Sequence, residues 1–297
     1  MMSEQRTVSL LKGIAPAFLP LIVFLFLGLF QPAFFSGANM LNIVRTFVPF
    51  TALAAGMAIA VRAGGPDLSL GAVLLLSGTA AAQAVSAGLP FAAGGVLAVV
   101  LGAAIGAANG LLIVRLRFPA VWSTLAVCIV VRIINSLFPR RLPVPELAAY
   151  AEALFLPLLI GIPLAALLLL VLIPLKGKKR HGLGICVPVY AAAAAFAALG
   201  GIYLCARNTG VIMAGRIEYE ICLIFLAGGL CLGNAAGRKL LPLPAALLLA
   251  FSWCTLMNLL TLYCVSSYWQ LVLQILLAAV FALAAFFSNK KKQHSMG

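Results

Sequence analysis

Ten apolar runs, each near the roughly 20 residues that a helix needs to cross the hydrocarbon core of a bilayer, divide this chain almost from end to end. They fall at 14–30, 41–61, 68–87, 90–114, 119–138, 154–175, 183–205, 219–233, 243–262 and 268–287. No polar stretch between them is long enough to fold alone, which excludes a single-span anchor carrying a soluble head. A mean hydropathy of +1.17 and a charged fraction of 9% agree, since the surface of a soluble domain needs many more charges. The expected fold is all-α: a polytopic membrane protein of about ten transmembrane helices forming one transmembrane domain over residues 1–297. The eighth run is short, and its "AGGLCLGNAAG" predicts a broken or tilted element.

The net charge of +14 would point to nucleic acid in a soluble protein. Here the basic residues sit in short clusters between apolar runs, so they read as topology signals. With the N-terminus inside and the runs alternating, Arg6, Lys12, Arg62, Arg115, Arg117, Lys176, Lys178, Lys179, Arg180, Arg238, Lys239, Lys290, Lys291 and Lys292 are cytosolic. Arg45, Arg140, Arg141, Arg207 and Arg216 fall outside. That bias follows the positive-inside rule and puts both termini in the cytosol. The N-terminal run has no small-residue cleavage site after a short core and reads as a retained span rather than a removed signal peptide.

The chemistry is sparse. No GxxxxGK[ST] phosphate loop is present, so ATP hydrolysis by that route is excluded. His181 and His294 lie beside basic clusters, and the seven cysteines sit mostly in apolar runs without a CxxC, so neither metal nor disulfide is expected; the cysteines read as small packing residues. No cofactor is expected. An ion-coupled carrier usually keeps acids within its spans, and here only Asp67 is a candidate: Glu4, Glu146, Glu152, Glu218 and Glu220 fall in the tail, the outer loop or the mouth of the eighth run.

Asp67, the only aspartate, stands in "RAGGPDLSLGA". Pro-Asp-Leu-Ser before an apolar run is a helix start, with the carboxylate taking free N–H groups at the positive end of the helix dipole; a gating or partner contact is the alternative. The glycines before it suit a sharp reversal at the cytosolic face. Within the spans, Gln83, Asn109, Ser123, Thr124 and Asn258 could line a path for a hydroxylated solute, with Ser77, Thr79 and Asn135 as further uncharged polar groups. The competing reading of each is interhelical glue. Arg132, in the outer half of the fifth run, is expected to snorkel outward or to pair with Glu146 or Glu152. Asn109 and Trp122 echo Asn258 and Trp269 five runs apart, the spacing of a 5+5 inverted repeat.

Three segments together resemble one family. "GGPDLSLGAVLLLSG" is similar to the Gly-Gly-x-Asp-Leu-Ser-x-Gly signature of the ribose/xylose/galactose-type ABC importer permeases. "NGLLIVRLRFPAVW" is similar to their Asn-Gly-Leu-Leu-Ile-Val segment, and "VSSYWQ" to their last-helix Val-Ser-Ser-Phe-Trp-Gln. The motif residues carried over are Gly64, Gly65, Asp67, Leu68, Ser69, Gly71, Asn109, Gly110, Ser266, Ser267, Trp269 and Gln270. The resemblance implies a multi-pass permease of a bacterial-type inner membrane that pairs with a second permease subunit. It also implies a cytosolic ABC ATPase that supplies the hydrolysis, an extracytoplasmic solute-binding protein, and a sugar or similar small polar solute as cargo. Two departures stand out: the cytosolic loop that usually carries the ATPase-docking helix is cut to "KGKKRHGLG" (176–184), and the family's Gly-Gly-Arg-Gly is only approximated by "GNAAGRK". The candidate ATPase-facing residues are Arg115, Arg117, Lys178, Lys179, Arg180, Arg238 and Lys239. A degenerate half of a heterodimer fits these departures. An ATP-independent facilitator or secondary carrier, or a non-transporting scaffold, is the alternative on the same fold.

Overall fold

A computed structural model describes residues 18–63, 65–138, 144–172, 183–209, 217–235 and 242–294. The described residues are helical: α1 (Phe18–Gly28), α2 (Gly37–Ala63), α3 (Leu70–Ser86), α4 (Phe91–Leu116), α5 (Ala120–Ser136), a 3-10 turn (Pro145–Leu147), α6 (Ala148–Leu172), α7 (Leu183–Arg207), α8 (Glu218–Ala235), α9 (Pro242–Leu262) and α10 (Ser267–His294). Each of the ten apolar runs thus becomes a helix. Six are long and apolar enough to cross a membrane, while α1, α3 and α5 are shorter apolar helices. α2 begins four residues before the apolar run that announced it, and Arg45, expected on the outer side, lies within the helix.

The chain divides into two compact units, Val48–Leu223 and Met1–Phe47 with Ile224–Gly297. In the first, α7 packs along α4 and α3, with α5 and α6 joining the same cluster. The reason is written in small residues. Gly102, Gly106 and Gly110 recur every fourth position on α4 and meet Ala198, Ala194, Tyr190 and Val187 of α7; a methyl group at Gly110 would lie 2.7 Å from Val187 Cα and 3.0 Å from Cys186 O. On α7 the run "AAAAAFAALGG" ends in Gly201, which sits directly on the Leu74 carbonyl of α3. Lipid supplies little hydrophobic drive for helix association, so close backbone approach is what holds such a seam. The outward faces carry large apolar side chains, among them Leu168 and Val171 of α6 and Ile129 and Ile133 of α5.

The second unit is tied by polar bonds at one end and aromatic packing along its length. Asn39 and Asn258 exchange amide bonds of 2.9 and 2.7 Å, Gln31 donates to Leu262 O at 2.7 Å, and Tyr263 donates to Leu27 O at 3.0 Å. Phe225 of α8 contacts both Trp253 of α9 and Phe281 of α10, with ring centroids 5.3 and 4.5 Å apart. Of the broken or tilted element expected here, the described residues show no break: α8 is continuous from Glu218 to Ala235. Its glycines serve contact instead, since a methyl at Gly228 would lie 2.8 Å from the Phe281 carbonyl carbon, and Gly229 faces Leu249.

Candidate functional site

The segment between α2 and α3 does not turn at the surface. Leu70, the first residue of α3, reaches to 3.0 Å from the place a methyl on Gly56 would take, and Gly56 is seven residues back from the end of α2. Seven residues of helix are about 10 Å, so the chain doubles back into the bundle before α3 starts. This explains the brevity of α3, whose 17 residues span only about 25 Å. The reversal expected at the cytosolic face is therefore recessed among helices, and irregular backbone at such depth needs protein partners for its polar groups.

Those partners are present. Leu68 N donates to Thr124 Oγ1 of α5 at 3.1 Å, and Tyr190 of α7 donates its hydroxyl to Gly65 O at 3.0 Å. Asp67, Ser69 and Asn109 of α4 are wholly buried. Asp67 Oδ1 accepts from Ser69 N at 2.9 Å and from Ser69 Oγ at 2.6 Å. Asn109 Nδ2 donates to Ser69 Oγ at 2.8 Å and reaches Asp67 Oδ2 at 3.4 Å. The N-cap position of α3 is Ser69, whose side chain makes no cap bond; Asp67 acts two residues earlier, closing the turn that leads into the helix. A carboxylate buried among these donors is a knot tying the start of α3 to α4. Asp67→Ala is expected to cost about 2 kcal/mol through the unmet Ser69 and Asn109 donors; a denaturant titration of the detergent-solubilised protein measures it, and an unchanged midpoint contradicts it.

The other residues read from the sequence separate into groups. Thr124 is committed to Leu68 N and to Val121 O at 3.3 Å, and Asn258 to Asn39. Gln83 is half-buried toward the far end of α3. Ser123 Oγ and Asn109 Oδ1 are buried with no hydrogen-bond partner, as are Ser77 Oγ and Asn135 Oδ1. Gly71 is buried, Gly110 of α4 lies against α7, and Arg115 and Arg117 are exposed at the end of α4. In the last-helix motif Gln270 Nε2 donates to Val265 O at 2.7 Å, and Ser266, Ser267 and Trp269 are exposed. Trp122 and Trp269 are each the third residue of their helix. Gly64, Lys178, Lys179, Arg180, Arg238 and Lys239 lie outside the described residues.

Arg132 corrects its expectation. Its guanidinium pairs with Glu220 in the first turn of α8, which was not among the expected partners, and the contact is bidentate: Nε to Oε1 at 3.0 Å and Nη2 to Oε2. Glu220 was read as a residue at the mouth of the helix, but its side chain is only 16% exposed. It fits because Gly71 has no side chain: a methyl there would lie 3.0 Å from both Glu220 Cδ and Oε1. Tyr190 and Glu220 are thus the site residues that sequence reading missed. Tyr190 had a signal, as the lone hydroxyl immediately before a polyalanine run.

The family model for permease components of branched-chain amino acid transport systems matches residues 39–173. The ribose import permease of Haemophilus influenzae is 26% identical over 307 residues, covering 93% of this chain and 94% of the relative. That of Escherichia coli is 28% identical over 302 residues, covering 92% of each. The chain is thus similar to these import permeases over nearly its whole length. The chain is also similar to the D-allose transport system permease of Escherichia coli, 29% identical over 236 residues, covering 77% of this chain and 67% of that one. No solved structure matches it significantly. The matched range contains the recessed segment, Asn109 and Arg132, so the knot described above lies within the region of similarity.

Proposed function

We propose that the permease is the inner-membrane subunit of a binding-protein-dependent ABC importer for a sugar or a similar small hydroxylated solute. The observation that carries this reading is similarity over nearly the whole of both chains to permeases of ribose import. It works with a separate cytosolic ATPase, an extracytoplasmic binding protein and a second permease subunit, with both termini in the cytosol. It forms one transmembrane permease domain whose halves descend from a 5+5 inverted repeat. The buried, unpartnered oxygens of Asn109 and Ser123 support a polar route beside the knot, because oxygens left unpaired inside a membrane bundle are costly unless a solute or water meets them.

Co-expression with a cognate ATPase and binding protein in proteoliposomes tests the proposal. ATP-dependent uptake of a labelled pentose or hexose is the expected result, with Ser123→Ala raising the solute concentration for half-maximal uptake several-fold, on the scale of one lost hydrogen bond. Uptake by this chain alone, without ATPase, would establish the facilitator reading in its place.

A further inference from the structure

A cavity of about 440 Å³ opens where α2, α4, α5 and α7 end or begin, walled by Ala63, Ile113, Val114, Phe118, Cys186 and Tyr190. Arg117 stands in its lining. The walls are apolar and aromatic, and the one charged lining residue is a guanidinium that no carboxylate pairs with among the described residues.

A second, independent observation falls on the same residue. Arg117 is the C-cap of α4 with φ 56° and ψ 24°, the left-handed conformation. That position is usually glycine, because a Cβ is disfavoured there. An arginine held in a conformation that glycine would take freely indicates that the side chain is kept for what it binds.

Depth selects the ligand. α4 is an apolar helix of 26 residues, and Arg115 and Arg117 stand in its last turn and at its end. A helix of that length is about 39 Å long, enough to cover the hydrocarbon core and reach the headgroup layer. A cationic mouth over an apolar chamber at this level matches a phosphate with acyl chains attached, and basic pockets between spans at the cytoplasmic side take anionic headgroups.

We infer that the cavity between the ends of α2, α4, α5 and α7 is a binding site for an anionic glycerophospholipid, with Arg117 taking the phosphate and Ile113, Val114 and Phe118 the upper acyl chain. The ligand is structural to the membrane face of the permease and distinct from its cargo.

The test uses the full chain alone, without ATPase, in nanodiscs of phosphatidylcholine with increasing phosphatidylglycerol, read by thermal unfolding and by native mass spectrometry of retained lipid. Phosphatidylglycerol is expected to raise the wild-type midpoint. Arg117→Gly is expected to be at least as stable as wild type in pure phosphatidylcholine, because its backbone relaxes, while retaining phosphatidylglycerol about five-fold less well, the worth of one interfacial arginine. Arg117→Asn, which tolerates the left-handed backbone without the charge, should repeat that loss; Arg115→Gln, outside the cavity, should keep the lipid response. Equal responses of Arg117→Gly and wild type overturn the inference. So does equal loss in Arg115→Gln, which would indicate a diffuse surface field, or equal stabilisation by inorganic phosphate in phosphatidylcholine discs, which would indicate a site for the free anion.

Discussion

Arg132→Leu is expected to destabilise the folded protein by roughly 3 kcal/mol, because it strands the Glu220 carboxylate among apolar helices with no counter-charge. Both side chains are largely covered, at 23% and 16% exposure, and the carboxylate is pressed against Gly71 at the start of α3, so it has little room to turn toward water. The effect is a property of the unpaired charge more than of the bond. Replacing both residues, as Arg132→Leu with Glu220→Leu, should therefore recover most of the loss, since well-packed apolar pairs often do as well as buried ion pairs. Unfolding of the detergent-solubilised protein by dodecyl sulfate reads both variants; a single mutant as stable as wild type would refute the assignment.

Gly106→Leu is expected to have an effect of similar size, about 3 kcal/mol, at the upper end of what overpacking costs. A methyl at Gly106 would already lie 2.6 Å from Ala194 Cβ and press on the Tyr190 carbonyl, which is backbone and cannot rotate aside. Gly95→Ala on the same helix is the control. Its methyl would find only Ile202 Cδ1, at 3.9 Å, so a change within about 0.5 kcal/mol is expected. Comparable losses in the two variants, followed by the same dodecyl sulfate titration, would refute the α4–α7 seam as the cause, since helix propensity alone favours both substitutions.

What the sequence displayed and what it concealed divide along physical lines. Helix number and type were legible because a bilayer enforces continuous apolar runs, and a helix start at Asp67 was legible because turns obey short-range rules, although the cap position falls on Ser69 and Asp67 bonds to it from two residues earlier. Pairings across the bundle were not. Arg132 had two glutamates 14 and 20 residues away, yet it pairs with one 88 residues distant, because sequence proximity does not say which helix faces which. Asn258 looked like solute chemistry until Asn39, 219 positions earlier, proved to occupy its amide. In α8 the glycine pair signalled close contact with α9 and α10, while a break would have produced the same letters. The depth of the Asp67 segment was hidden for a related reason: nothing in "GGPDLSLG" states how far back along α2 the next helix begins.

The four-residue spacing of glycines on α4 has a mechanical corollary. Teeth recurring every four residues of helix have a period of about 6 Å, and α7 presents matching alanines. Between engaged positions a Cβ would ride over a carbonyl, so the two rods cannot glide by small increments: they hold one notch or jump a full one. Any opening motion during a transport cycle must then carry α4 and α7 together as a single strut, with the give supplied by other joints.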